Sequence, residues 1–238
     1  MTVVSANVGA RKWWALAGLS LGVLAVGLDA TVLSVALPTL AVSLHASATD
    51  LQWFISSYTL ALAVALLPGG LLGDRYGRKK VMIIALSVFG LGSLACAYAP
   101  NAGAFIAART VLGLAAGAMV PLVLSVLAVM FTDEERTKAV GVWAAANFIA
   151  LPIGPILGGW LLSNYWWGWV FLLNVPVVVI GLVAVTVLVP ESRAARRPGV
   201  DLVGIVTSCT GLAVLIYGFI AAGQYGWSSP TAILAMNP

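Results

Sequence analysis

The sequence predicts an all-α polytopic membrane protein with seven spanning helices. Three observations predict it. Hydrophobic residues make up 61% of the chain and charged residues 8%, against about 45–50% apolar and roughly a quarter charged in ordinary soluble domains. The apolar residues fall into seven continuous runs, most of them near or above the roughly 20 residues that cross a bilayer core. The charges lie between these runs and almost never within them. Unbroken apolar runs do not alternate as barrel strands must. A backbone in hydrocarbon must pair its own polar groups, so the runs read as helices.

The first run, 13–37, follows Arg11-Lys12 and lacks a convincing cleavage site, so it reads as a retained helix and not as a removed signal. The remaining runs are 51–72, 81–99, 102–130, 139–163, 167–189 and 202–222. The fourth is long enough to extend beyond the lipid. The chain thus divides into a six-helix unit (1–190), a basic loop (191–201), a seventh helix (202–222) and a tail (223–238).

The loops give the expected orientation. Arg11 and Lys12 precede the first span, and Arg75, Arg78, Lys79 and Lys80 follow the second. Arg136 and Lys138 follow the fourth span, and Arg193, Arg196 and Arg197 follow the sixth. Eleven of the 12 basic residues therefore fall on one side. The positive-inside rule makes that side, and the N-terminus, cytoplasmic, in a multi-pass protein of the plasma membrane. The net charge of +4 is thereby a topology signal, and no nucleic-acid partner is needed to explain it. Cys96 and Cys209 both sit in apolar runs and read as packing residues, with no disulfide framework or metal site. His45 stands alone in a loop. With no metal-ligand cluster and no nucleophile–base pair, the sequence supports neither an enzyme nor a cofactor.

The densest charge cluster is the run from Gly70 to Lys80, where Asp74, Arg75, Arg78, Lys79 and Lys80 crowd into seven positions between two spans. It reads as a tight loop at the membrane surface, with Gly70, Gly73 and Gly77 letting two helices turn back on each other. Only Asp29 and Arg109 carry charge at membrane depth. Intramembrane charges are costly and face a cavity or a partner. For Asp29 the functional reading is a proton carrier, because a low dielectric favours the protonated carboxyl. Its structural alternative is a charge reaching the surface or held by hydrogen bonds. Arg109 is open between a bundle-stabilising charge and a fixed positive charge that tunes an acidic site. Gly113 and Gly117 are four apart, as are Gly154 and Gly158, and each pair puts a smooth strip on one helix face. Pro152 and Pro155 should bend the fifth span. That helix reads either as a moving interface or as static packing.

Several segments resemble the major facilitator superfamily. The Gly70–Lys80 run looks like its signature loop between spans two and three. Leu28-Asp29-Ala30-Thr31 through Pro38 resembles the first-span motif of the 14-helix drug:proton antiporter branch. Arg109 through Gly117 is similar to the fourth-span motif, and Gly154-Pro155-Ile156-Leu157-Gly158-Gly159 to the antiporter motif of the fifth. Trp169 through Pro176 looks like the start of the sixth span in the same branch. These motifs cover almost the whole chain in the expected order.

The resemblance implies the superfamily's N-terminal six-helix bundle plus a first linker helix. It implies proton-coupled efflux of lipophilic or cationic drugs by alternating access. Asp29 would couple export to proton entry, and Arg109 would assist proton movement. Gly70, Gly73, Asp74, Arg75, Gly77, Arg78 and Lys79 would form the cytoplasmic gating loop. Gly154, Pro155, Gly158 and Gly159 would form the antiporter bend. Because aromatic faces attract cations, Trp53, Tyr58, Trp143, Asn147 and Phe148 are candidates for the substrate cavity. The other reading of the aromatics among them is lipid-facing or interfacial.

The sequence departs from the pattern twice. Gly168 stands where the branch has Arg, and the chain stops after seven spans of 14. The expectation is therefore a fragment of a full antiporter, its tail ending where an eighth span would begin. The partners expected are lipid, protons, a small-molecule substrate and a second transporter half. Two alternatives stand: a non-transporting assembly or regulatory half-protein, and a metabolite facilitator on the same fold.

Overall fold

The computed structural model describes residues 2–194 and 202–225, with side chains from Arg11 onward apart from a few in the last helix. Arg196, Arg197 and the tail beyond 225 lie outside the described residues. All regular structure described is helical: α1 (Thr2–Ser43), α2 (Ala48–Tyr76), α3 (Arg78–Ala97), α4 (Ala102–Met130), α5 (Asp133–Asn164), α6 (Trp169–Leu172), α7 (Asn174–Leu188) and α8 (Leu202–Tyr225).

Capping explains why several helices begin before their apolar runs. At α2 the Ser47 and Asp50 side chains cap each other's backbone N–H, at 3.2 and 2.9 Å. The same reciprocal box joins Thr132 and Glu135 at α5, whose first turn also carries Asp133 and Glu134. Acidic side chains there oppose the positive end of the helix dipole. That extra polar turn carries the fifth helix back from the expected start at 139 to Asp133.

The sixth span is cut in two. Pro176 has no N–H to donate to the Leu172 carbonyl, so the ladder lapses between α6 and α7. Leu173 at the joint keeps helical angles, φ −54° and ψ −34°, and the two pieces act as one 20-residue span, Trp169–Leu188. In contrast, α5 runs unbroken through Pro152 and Pro155. Those prolines leave the Phe148 and Leu151 carbonyls without their usual helical donors.

The helices interlock in a reciprocal way. α1 packs mainly on α5 and α7, while α4 packs mainly on α2 and α3. Exchanging the first three helices with the next three turns one set of pairings into the other, the pattern of three-helix repeats that swap partners. Close approach makes this possible. A side chain at Gly113 would collide with the Tyr58 carbonyl oxygen, and one at Gly117 with the Leu62 carbonyl oxygen. α1 is the central helix, with 67% of its apolar window buried, whereas only 11% of α5's is. α5 therefore lies at the edge of the bundle.

Candidate functional site

Asp29 on α1 and Arg109 on α4 meet in the bundle core, 2% and 1% exposed. Arg109 donates from one guanidinium nitrogen to Asp29 Oδ2 and from Nε to the Phe54 carbonyl at 3.1 Å. Its Cζ lies 4.2 Å from the centre of the Tyr58 ring, a cation–π contact. Asn174 Nδ2 reaches Asp29 Oδ1 at 3.2 Å and Ser93 Oγ at 3.3 Å. Groups from α4 and α7 thus bind the Asp29 carboxylate of α1, and groups from α2 and α3 hold those two in turn. Phe54, whose carbonyl Arg109 holds, stacks edge to face with Phe105, and Phe105 with Phe171, centroids 4.5 and 5.3 Å apart, and all three rings are buried. The reading of Asp29 as a charge reaching the surface fails, because its carboxylate is buried and bound.

Tyr58 also borders a hollow of about 340 Å³. α1 lines it with Val23, Val26, Gly27 and Ala30, α2 with Tyr58 and Leu62, and α5 with Trp143, Ala144, Asn147 and Phe148. Tyr58 lies ten residues from the start of α2, and Trp143 ten from the start of α5. A rise of about 1.5 Å per residue puts both roughly 15 Å from opposite ends, each about a third of the way along its helix. The four expected lining residues Tyr58, Trp143, Asn147 and Phe148 therefore share one hollow.

Trp53 does not belong to it. Its ring stacks on Tyr217 of α8, centroids 6.2 Å apart. Five positions along a helix turn a side chain by about 140°, so Trp53 and Tyr58 cannot share a face.

The antiporter motif of α5 rests directly on the first-span motif. A side chain at Gly154 would strike Thr31, and one at Gly158 would press on Val32 at 3.1 Å. Thr31 Oγ1 lies 3.4 Å from the Ala150 carbonyl, across the two helices. Asp29 and Thr31 point to opposite sides of α1, so α1 is a wall between the ion pair and α5. Gly159 does not join this contact, for nothing lies within 4 Å of where its side chain would be. Pro155, in the same stretch of α5, lacks an N–H and leaves the Leu151 carbonyl without its helical donor.

At the basic end, Gly77 closes α2 and opens α3. Its φ of +115° is open to glycine and rare for other residues. Arg78 grips Asp74 Oδ1 with Nε at 2.9 Å and a terminal nitrogen at 2.7 Å, and reaches the Ser125 carbonyl on α4 at 3.3 Å. Gly73 packs against Leu122, and a side chain at Gly70 would lie 3.4 Å from Pro121. Lys79 Nζ holds the Thr186 carbonyl at 2.6 Å, and Arg75 lies over the Tyr76 ring at 5.7 Å. A strap after α7 completes the cluster. The Arg78 N–H donates to the Ser192 carbonyl at 2.9 Å and the Ala194 N–H to the Asp74 carbonyl at 3.1 Å. The Glu191 carboxylate fills the space a side chain on Gly77 would need, 2.6 Å away.

Sequence reasoning assigned no role to Asn174, Ser93 or the Glu191–Ala194 strap. Asn174 carried a usable signal, being one amide in an otherwise apolar span. The strap carried none, because its hydrogen bonds to the α2–α3 joint are made by backbone groups.

Comparison with known proteins agrees with this geometry. The model of the Major Facilitator Superfamily matches residues 19–235. The multidrug efflux pump LfrA of Mycolicibacterium smegmatis is 39% identical over 223 residues, covering 93% of this chain and 44% of that protein. The tetracenomycin C resistance and export protein of Streptomyces glaucescens is 36% identical, covering 91% of this chain and 40% of the relative. The methyl viologen resistance protein SmvA of Salmonella typhimurium is 38% identical, covering 87% and 42%. The chain thus spans about two-fifths of the length of these relatives. Among solved structures, the human organic anion transporter MFSD10 (TETRAN) superposes with a TM-score of 0.67 at 18% identity, over 93% of this chain and 58% of that one. The proton:xylose symporter XylE superposes with a TM-score of 0.66 at 15% identity, over 91% and 55%. Motifs, helix order and matches agree: this chain is a multi-pass membrane protein that belongs to the Major Facilitator Superfamily.

Proposed function

We propose that this chain is the N-terminal half of a proton-coupled drug exporter that works by alternating access. In this reading it resides in the plasma membrane with its N-terminus and basic loops in the cytoplasm. A second transporter half completes the substrate cavity, whose open side is the exposed face of α5. The observation that carries the reading is the buried Asp29–Arg109 pair, joined through the Tyr58 ring to the hollow.

The chemistry is a competition. A proton arriving on Asp29 neutralises the carboxylate and frees Arg109, which then has only the Phe54 carbonyl and the Tyr58 ring for its charge. A buried cation without its anion is strongly disfavoured, so the site has two arrangements of different charge. Substrate entering beside Tyr58 biases the choice between them. Asp74, Arg78, Gly77 and the strap hold the cytoplasmic ends of α2, α3 and α7 while the hollow faces the other way.

The test uses the chain itself in nanodiscs. Adding ethidium, a lipophilic cation, with a pH-indicator dye in weakly buffered solution acid enough to protonate Asp29 should release that proton as it binds. The Asp29→Asn variant should bind ethidium and release none. Release undiminished in that variant would remove Asp29 from the coupling. Binding without release in the parent chain would favour a non-transporting assembly half.

A further inference from the structure

At the basic end of the bundle, α1, α4 and α7 leave a second hollow of about 270 Å³. Arg11 and Lys12 of α1, Met130 at the end of α4, and Leu188 and Pro190 at the end of α7 line it. Hydrogen bonds fix where the two charged heads stand. Arg11 Nη2 donates to the Val187 carbonyl at 3.0 Å, so the guanidinium reaches from α1 to the last turn of α7. Lys12 Nζ lies 5.6 Å from the Phe131 ring and 2.6 Å from Glu135 Oε1, at the α4–α5 joint. Trp13 and Trp14 follow at once, 38% and 68% exposed. Tryptophans beside basic residues stand at the headgroup level of a bilayer.

The two charges are balanced differently. Lys12 is neutralised by Glu135. Arg11 is exposed and meets no carboxylate among the described residues, only a neutral carbonyl. Lys79 reaches the same end of α7 from α3, at the Thr186 carbonyl, 2.6 Å away. A helix C-terminus supplies about half a negative charge, against two whole positive ones here. The neighbouring acids are engaged or turned to water. Asp133 pairs with Arg136 at 3.1 Å, Glu134 is exposed, and the Glu191 carboxylate lies against Gly77. Arg11 keeps further N–H donors in hand, since a guanidinium carries five. We infer that this hollow seats one anionic phospholipid, its phosphate on Arg11 and its glycerol against Met130, Leu188 and Pro190. Arginine matches phosphate through paired N–H donors, and basic pockets between membrane helices take anionic headgroups. A zwitterionic headgroup would bring a cation to a site that already has one in excess. The acyl chains lie outside the hollow, along Val183 and Val187, which are exposed and one turn apart on α7. The bound lipid bridges the ends of α1, α4 and α7. The site does not depend on the substrate reading.

The test weighs retained lipid by native mass spectrometry. The chain is released into mild detergent from nanodiscs of equal phosphatidylglycerol and phosphatidylcholine with identical acyl chains. The parent chain should keep phosphatidylglycerol in roughly fivefold excess, the contribution of one arginine facing anionic lipid. Arg11→Gln should bring the ratio close to one. Leu188→Trp keeps every charge, fills the hollow and should do the same. Lys138→Gln removes an exposed cation of α5 instead and should leave the excess intact. Size-exclusion chromatography checks the folding of each variant. Equal retention in the parent chain, an excess that survives Arg11→Gln or Leu188→Trp, or an equal loss in Lys138→Gln would overturn the site. Excess glycerol 1-phosphate should leave the lipid bound. Displacement by it would assign the hollow to a soluble phosphate and overturn the lipid.

Discussion

Arg109 sits at the least forgiving position in the molecule, holding a carboxylate, a carbonyl and a ring face at once. Removing one partner of a buried ion pair costs about 3–5 kcal/mol, because the other charge stays behind. Arg109→Gln should therefore lower the melting temperature of the purified protein more than Asp29→Asn combined with Arg109→Gln. A double variant no more stable than Arg109→Gln alone would mean that the two charges do not interact. Asn174→Ala removes one neutral donor and should cost about 1 kcal/mol, seen as a smaller shift in the same assay. Asp29 and Arg109 were legible in the sequence, because an ionisable residue in an apolar run stands out. Their pairing was not, since a partner 80 positions away leaves no local pattern.

At the scale of helices, the α2–α4 contact is set by backbone approaching backbone. Placing a methyl at Gly113 or Gly117 forces it into the carbonyl oxygens of Tyr58 or Leu62. Gly113→Ala or Gly117→Ala should each cost about 1–3 kcal/mol through overpacking. Gly141 has nothing within 4 Å of its added methyl, so Gly141→Ala should be neutral or stabilising by roughly 0.5–1 kcal/mol. Thermal unfolding of the three variants checks the contrast, and similar melting shifts at all three sites would contradict it. The four-residue spacing announced that these glycines pack. It did not say against which helix, because a smooth strip fits any neighbour. The same limit misplaced Trp53, since membership of a span was clear and its facing was not. The broken sixth span depended on Pro176, which the sequence displays openly.

For the whole molecule, the two ends are fastened by different forces. At the basic end, Lys12–Glu135 ties α1 to α5 at 2.6 Å, and Asp74–Arg78 secures the α2–α3 joint at 2.7 Å. At the opposite end, Trp160, Tyr165 and Trp169 form an aromatic chain with centroids 5.4 and 5.9 Å apart. Salt screens partly exposed charges and leaves ring contacts intact, with a Debye length falling to about 3 Å at 1 M. Amide hydrogen exchange should therefore accelerate at Arg78 and Ala194 in high salt and stay unchanged near Trp169. Uniform acceleration at both ends would show that the strap does not depend on charge. The six described helices long and apolar enough to span a membrane, and the clustering of basic residues at one end, could be read from composition. The interlocked arrangement could not, because it depends on which faces meet.

That interlocking bears on how the protein is made. α1 finds its main neighbours in α5 and α7, and Asp29 gains its arginine only when α4 is present. A ribosome that has finished the first three helices has delivered an unneutralised carboxylate into the membrane with no cation to meet it. The insertion machinery, or water within it, must shelter Asp29 until Arg109, 80 residues further along the chain, has been synthesised. Early spans would then wait for later ones, and the first half of the bundle would become stable only as the second half arrives.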